Sequence, residues 1–323
     1  MLAPAPDLAA EAVDVDAARL FALRHIVRHV PERGLAPTGR PGGFAGRRRG
    51  NGLEIVDVRR FSPGDDIRHV DAAATARTAK THVRTFRDER DRAALLVADF
   101  RAAMFFGTRG RLRSVAAAGA LALAGWRVVE AGGRVGLLTA AAGSSSFLPP
   151  RPRERAMAAI AGALESAHAA AAEALAAGGG QPEPSLAGIL EEAVARATPG
   201  TSILLATALD DEGEDFYRLA GAACRRFPTT VMLLRDRFEA EPPTGAYPYR
   251  LAGARGAGPM RWALVARRDR QAKHAQQAKP LPRRPEDARV ERLAAAGITV
   301  RSLYADASFE AMAAEMEGAD GRR

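Results

Sequence analysis

Beyond residue 92 the chain alternates short apolar runs with longer helical stretches, and that rhythm constrains the fold more than any other feature. Residues 93–98 form an apolar run that ends on Asp99. A helical pattern follows over 112–129, then a strand pattern over 134–139. Residues 146–148 read as an antiparallel edge strand, stopped by Pro149 and Pro150. Ala-rich helices are expected over 153–176 and 186–197, with Gly178, Gly179 and Gly180 between them. Further strands are expected at 202–207, 229–235, 261–265 and 299–304, and helices at 213–225, 287–296 and 308–317. Apolar strands separated by amphipathic helices predict an α/β fold, with three layers and a mainly parallel, Rossmann-type sheet covered on both faces.

The material for such a core is present, since 47% of the 323 residues are hydrophobic. Aromatic residues make up only 6%, so Ala, Leu and Val must fill the interior. No apolar run reaches the roughly 18 residues that a membrane-spanning helix needs; the nearest, 114–126, is too short and rich in Ala and Gly. The N-terminus lacks the charged-then-apolar pattern of a secretory signal, so a cytoplasmic location is expected. The single cysteine, Cys224, cannot form an internal disulfide and is expected to be buried as a small apolar residue. Net charge is +9 and comes almost wholly from arginine, the only lysines being Lys80, Lys273 and Lys279.

Ahead of the alternating region, residues 9–30 read as one amphipathic helix with Leu20, Leu23, Val27 and Val30 at helical spacing. Residues 34–52 are rich in Gly, Pro and Arg and read as a linker, with Arg47, Arg48 and Arg49 solvated. The expected boundaries are 1–45 for the helix and linker, 46–90 for a short charged region, and 91–323 for the α/β domain.

The charged region carries a dense motif string. It runs Gly52-x-Glu54, Asp57-x-Arg59, then Phe61 through Asp71, Thr75-Ala76-Arg77, Val83-Arg84-x-Phe86 and Glu89-Arg90. Residues 53–58 have β character, and Ser62-Pro63-Gly64-Asp65 suits a type II turn. The reading is of short strands around a turn. Asp65, Asp66 and Asp71 sit among Arg59, Arg60, Arg68, Arg77 and Arg84, a density that predicts interlocked ion pairs with bidentate arginines. The string closely resembles the signature of the bacterial domain-of-unknown-function family 58. That resemblance implies fusion to a von Willebrand factor A-type domain and association with MoxR-type AAA+ ATPases. It is strongest over 52–90, moderate over 91–140 and a matter of pattern through 317. Asp236, with Pro243, Gly245 and Tyr247 downstream, is also similar to the family. Ala72 departs from it, standing where the family usually has Trp.

In open parallel sheets, ligands bind beyond the carboxyl ends of the strands. In the A-type domains that the resemblance implies, the first such end carries Asp-x-Ser-x-Ser and binds a divalent cation through hard oxygen ligands. Here Asp99 stands in the first place, while Arg101 and Ala103 replace the two serines. Thr207-Ala208 falls where Ser-Asp is frequent, and Ser185 aligns with the threonine of the middle loop. Most of the cage is therefore lost, and Arg101 adds a positive charge. Two unit charges 4 Å apart repel by about 4 kcal/mol at an effective dielectric of 20. No metal is expected, or at most weak Mg²⁺, and the Arg101 guanidinium is expected to take the cation's place against Asp99. Asp210 and Asp211 offer alternative carboxylates nearby.

Other chemistries find little support. His25 and His29 have zinc-compatible spacing but lack the Glu of the HExxH pattern and a third ligand. Residues 144–146 are three serines without a nucleophile elbow. Gly107-Thr108-Arg109-Gly110 lacks the ending of a phosphate-binding P-loop. The basic stretch 267–284 has no interleaved aromatics for base stacking, so no specific nucleic acid is expected. The resulting expectation is a non-enzymatic interaction module partnered with a MoxR-type AAA+ ATPase, with Arg59, Asp65, Asp66, Arg68, Asp71 and Arg77 as interaction residues. The alternatives are a hydrolase using Asp65 and Asp66, or a nucleic-acid-binding protein using the arginine surplus.

Overall fold

The computed structural model describes residues 12–29, 53–62, 67–78, 80–88, 93–178, 181–210, 213–240, 242–249, 252–253, 256–257, 261–265 and 288–318. The chain divides into two compact units, one of residues 1–37 and 93–323, the other of residues 38–92. In chain order the elements are α1 (Ala17–Ala22), α2 (Arg24–His29), β1 (Leu53–Arg60), α3 (Ala72–Thr78), β2 (His82–Asp88), β3 (Ala93–Asp99), α4 (Arg113–Glu130), β4 (Arg134–Ala141), β5 (Ser144–Pro152), α5 (Glu154–Ala176) and α6 (Leu186–Arg196). They continue with β6 (Thr201–Thr207), α7 (Gly213–Cys224), β7 (Thr229–Arg235), α8 (Arg237–Ala240), β8 (Gly245–Tyr249), β9 (Ala252–Gly253), β10 (Gly256–Ala257), β11 (Arg261–Val265), α9 (Ala288–Ala295), β12 (Thr299–Tyr304) and α10 (Phe309–Gly318).

The larger unit is a three-layer α/β structure. Its six-stranded sheet has the order β12-β7-β6-β3-β4-β5, parallel except for the β4–β5 pair. Strand β3 lies at the centre, fully buried, with Leu96 opposite Leu137 on one side and Leu204 on the other. Period-two alternation splits its apolar side chains between two cores. Ala94, Leu96 and Ala98 face a core shared with α1, α2, α4, α5 and α10, while Leu95 and Val97 face one shared with α6, α7 and α9. Helix α4 is buried from Arg113 through Val128. Its small residues admit close neighbours: a Cβ at Gly119 would fall 2.0 Å from the Phe309 ring.

Three expectations need correction. Strand β5 does not stop at Pro149 but runs through Pro150 to Pro152. It is the sheet's edge, where a missing N–H costs no ladder bond, and the β4–β5 register shifts between Val135 and Leu137. The N-terminal helix is not continuous. Residues 14–16 are non-helical, the Asp16 carboxylate caps α1 by accepting the Arg19 N–H at 2.7 Å, and a turn at Leu23 separates α1 from α2. Leu20, Leu23 and Val27 are nonetheless buried, and Val30 lies outside the described residues. Strand β11 does not join the main sheet but pairs antiparallel with β8.

The smaller unit is built on the antiparallel pair β1–β2, with an irregularity between Ile55 and Asp57. Between its strands lie a short 3₁₀ turn, Ile67–His69, and helix α3, where only strands and a turn were expected. Asp71 starts the helix: its Oδ1 accepts the Ala74 N–H at 2.8 Å, and its carbonyl accepts the Thr75 N–H at 3.0 Å. The expected turn at 62–65 falls largely outside the described residues.

Candidate functional site at the carboxyl end of the sheet

The strand ends meet around Asp99, which is 1% exposed. Four donors converge on its carboxylate. The Arg101 guanidinium donates Nε–H to Oδ1 at 2.9 Å and Nη2–H to Oδ2 at 2.8 Å. The Arg101 backbone N–H donates to Oδ1 at 3.1 Å, and the Thr207 hydroxyl to Oδ2 at 2.7 Å. Arg101 also donates Nη2–H to the Asp210 carbonyl at 3.2 Å. Burial by itself would pull the guanidinium pKa down. The hydrogen bonds and charge of Asp99, with Glu183 and Asp210 farther off, outweigh that and hold it above its ordinary value. Asp99, Arg101 and Thr207 thus form one buried, fork-to-fork ion pair with a hydroxyl bracing it.

The loop after β6 is shaped to complete this cluster. The Thr207 hydroxyl also accepts the Leu209 N–H at 3.1 Å. Leu209 is a buried non-glycine residue in the left-handed region, at φ 54°, a conformation costing on the order of 1–3 kcal/mol that its surroundings must offset. The Ala208 and Leu209 carbonyls both accept from Arg289 Nη1 at 3.0 Å.

A second buried arginine lies beside the first. Arg113, at the start of α4, donates to the Ala103 carbonyl and to Asp210 Oδ2, and pairs with Glu239 Oε1 at 2.6 Å. Its guanidinium also lies 4.8 Å from the centroid of the half-exposed Phe106 ring. At the end of β7, Asp236 holds the 106–112 loop. It accepts the Thr108 N–H at 2.7 Å, the Thr108 hydroxyl at 2.5 Å and the Phe238 N–H at 2.8 Å. Burial would raise the Asp236 pKa; these hydrogen bonds and the nearby Arg113 charge overcome that and keep it below the ordinary carboxylate value.

The remaining positions singled out by sequence have local roles. Ser185 caps α6, its hydroxyl accepting the Gly188 N–H at 3.0 Å. Ala103 contributes only its backbone carbonyl, to Arg113. The signature residues belong to the other unit. There Arg59, Arg68 and Arg77 are exposed, Asp71 caps α3, and Asp65 and Asp66 lie outside the described residues. His25 and His29 each place Nδ1 near a backbone carbonyl of the preceding turn. No group of three or more His, Cys, Asp or Glu side chains with metal-binding geometry occurs among the described residues. Likewise, no described helix is long and apolar enough to cross a membrane.

Several residues of this region were missed in the sequence. Arg113, Thr108, Glu183 and Glu239 reach the site from loops and helix ends up to 128 residues from their partners, a distance no local pattern encodes. Asp236, by contrast, stood out through its family resemblance, and like Asp99 it follows an apolar run. Under the sheet end, His168 and Ser114 form a buried pair, Ser114 Oγ lying 2.9 Å from His168 Nε2. The imidazole sits between the Phe100 and Phe105 rings, and desolvation pushes its pKa down to about 4.

Between α5 and the loop preceding α6 lies a cavity of about 440 Å³ with Phe100 in its wall and Glu183 on its border. Glu183 Oε1 accepts the Ala102 N–H at 2.5 Å, tying that border to the segment carrying Arg101.

Comparison with known proteins agrees with the signature. Uncharacterized proteins of Mycobacterium bovis and of two Mycobacterium tuberculosis strains are 37% identical to the chain over 107 residues, a stretch covering 32% of this chain and 32% of each relative. The chain thus spans about a third of the length of the curated relatives it matches. The family model described as protein of unknown function DUF58 matches residues 57–279, from the signature through the strand ends that hold Asp99, Thr207 and Asp236, and the chain belongs to that family.

Proposed function

We propose that this chain is a non-enzymatic protein-interaction module, an adaptor or co-chaperone of a MoxR-type AAA+ ATPase in the assembly or maturation of another protein complex. The observation that carries the non-enzymatic reading is the saturation of Asp99. Both its oxygens are engaged by arginine and threonine donors, and the guanidinium occupies the space toward which a cation would be drawn. A divalent cation would have to displace a buried, bidentate arginine. Asp236 is similarly committed to Thr108 and Phe238. Carboxylates held in this way stiffen loops and are poor proton acceptors for a substrate. What remains at the sheet end is a rigid, shaped surface with Phe106 exposed on it, suited to recognition. The family resemblance supplies the identity of the partner, and the exposed signature arginines supply a second contact region.

The test is affinity capture with tagged full-length chain from native lysate in ATP and Mg²⁺, comparing wild type with Arg77→Glu, Asp66→Ala and Phe106→Ala. A AAA+ ATPase retained by wild type and depleted by a folded variant is the expected result. Equal recovery of no ATPase in all samples would remove the adaptor reading.

A further inference from the structure

The cavity beside the ion pair carries chemistry that the Asp99 cluster does not use. Its walls are formed by Phe100 and by Ala171, Ala174 and Leu175 of α5, with Gln181 and Glu183 on its border. At about 440 Å³ it falls within the roughly 300–1,000 Å³ range of ligand pockets. Glu183 is the one formally charged residue lining it. Its Oε1 is committed to the Ala102 N–H, while Oε2 has no partner among the described residues, and the side chain is exposed. Arg101, close enough for the Glu183 charge to act on it, does not neutralise this carboxylate by contact, because its Nε–H and Nη2–H are turned to Asp99 and the Asp210 carbonyl. The site therefore joins an apolar trough to one carboxylate at its solvent-exposed border.

We propose that this cavity receives a lysine or arginine side chain of a protein partner. The aliphatic stem lies along Ala171, Ala174 and Leu175, and the cationic head donates to Glu183 Oε2. Long basic side chains bury their methylenes on apolar surface while keeping the charge at a polar rim, and this trough matches that division. An acidic side chain would meet Glu183 as a like charge, and a purely apolar one would gain nothing from its carboxylate. The assignment of the occupant to a protein rests on the interaction-module reading above; the pocket's preference for an alkyl cation does not.

The probes are two capped tripeptides, acetyl-Ala-Lys-Ala-amide and its norleucine counterpart, together with n-butylammonium, titrated into the full-length chain and followed by methyl NMR at Ala171, Ala174 and Leu175. The lysine peptide is expected to give saturable shifts at these methyls, and the norleucine peptide much smaller ones. Glu183→Gln keeps the acceptor for the Ala102 N–H but removes the charge, and should weaken lysine-peptide binding by up to about fivefold, since an exposed ion pair contributes about 0.2–1 kcal/mol. Ala174→Phe fills the cavity and should abolish the shifts. Equal binding of the lysine and norleucine peptides, or unchanged affinity in Glu183→Gln, would overturn the proposal. Binding of n-butylammonium without the lysine peptide would overturn its assignment to a protein side chain. Absence of any ATPase from the wild-type capture, with lysine-peptide binding intact, would remove the adaptor reading alone.

Discussion

At the scale of single residues, the Asp99–Arg101 pair decides how this sheet end behaves. Breaking one partner of a buried ion pair typically costs about 3–5 kcal/mol, because the other is left charged and desolvated. Arg101→Ser should therefore lower the melting temperature markedly. It also restores a hydroxyl beside Asp99 and Thr207, so millimolar Mg²⁺ should raise the variant's melting temperature more than that of wild type. An equal Mg²⁺ response in both proteins would contradict the reading of Arg101 as the cation's substitute. Two buried titrating groups contribute to the pH dependence of stability. His168 has its folded pKa depressed to about 4 from 6.5, so the unfolded chain binds a proton in that window while the folded chain does not. Stability is lost as pH falls from 6.5 toward 4. His168→Gln, which can still reach Ser114, should flatten a chemical-denaturation pH profile across that window. Asp236 acts at lower pH. Its depressed pKa contributes stability that is fully present above the ordinary value of 3.8 and lost as pH falls through the folded pKa. Part of this was legible: Asp99, Arg101 and Thr207 could be placed at strand ends because each terminates or follows an apolar run. Glu183 and Arg113 could not, since their roles come from tertiary neighbours distant in sequence.

At the scale of elements, legibility followed periodicity. The central strands β3 and β6 were readable because both faces are buried and each becomes a largely apolar run. Helix α3 was not, because seven residues with three alanines in a row and one buried side chain give no amphipathic signal; only the cap at Asp71 marks it. Asp71→Ala should cost α3 about 0.5–2 kcal/mol, visible as faster amide exchange over residues 72–78. The edge position and antiparallel pairing of β5 were read correctly, but its prolines misled as to its end, because an edge strand tolerates them and continues to Pro152. Helix α4 makes the competition between levels measurable. Propensity alone would have Gly119→Ala stabilise a helix by about 1 kcal/mol. The new methyl, however, would fall 2.0 Å from the Phe309 ring, which also lies under the Arg111 guanidinium. Overpacking of this kind costs about 1–3 kcal/mol. Net destabilisation is expected on urea denaturation, and it should shrink when Phe309 is Ala, the sign that the clash and not the backbone is responsible.

At the scale of the whole molecule, the question is what a net charge of +9 does. Many of the described arginines are paired with carboxylates. Arg24 bonds Glu130 and Glu154, Arg101 bonds Asp99, Arg113 bonds Asp210 and Glu239, Arg237 bonds Asp306, and Arg292 bonds Glu214. Arg24 itself is held above its ordinary pKa, first by the hydrogen bond to Glu130. Arginines paired in this way serve the architecture and do not by themselves form the basic groove or face that nucleic-acid readers present. A net positive charge still attracts a polyanion, but the attraction is counterion release and fades steeply with salt. Fluorescence anisotropy with a labelled duplex should accordingly show sequence-independent binding at about 50 mM salt that is largely gone by about 200 mM. On the adaptor proposal, which rests on shaped contacts, capture of an ATPase should persist through the same range. Tight duplex binding at 200 mM salt with loss of ATPase capture would reverse the order of the two readings. The basic stretch 267–284, outside the described residues, would then become the first segment to remove.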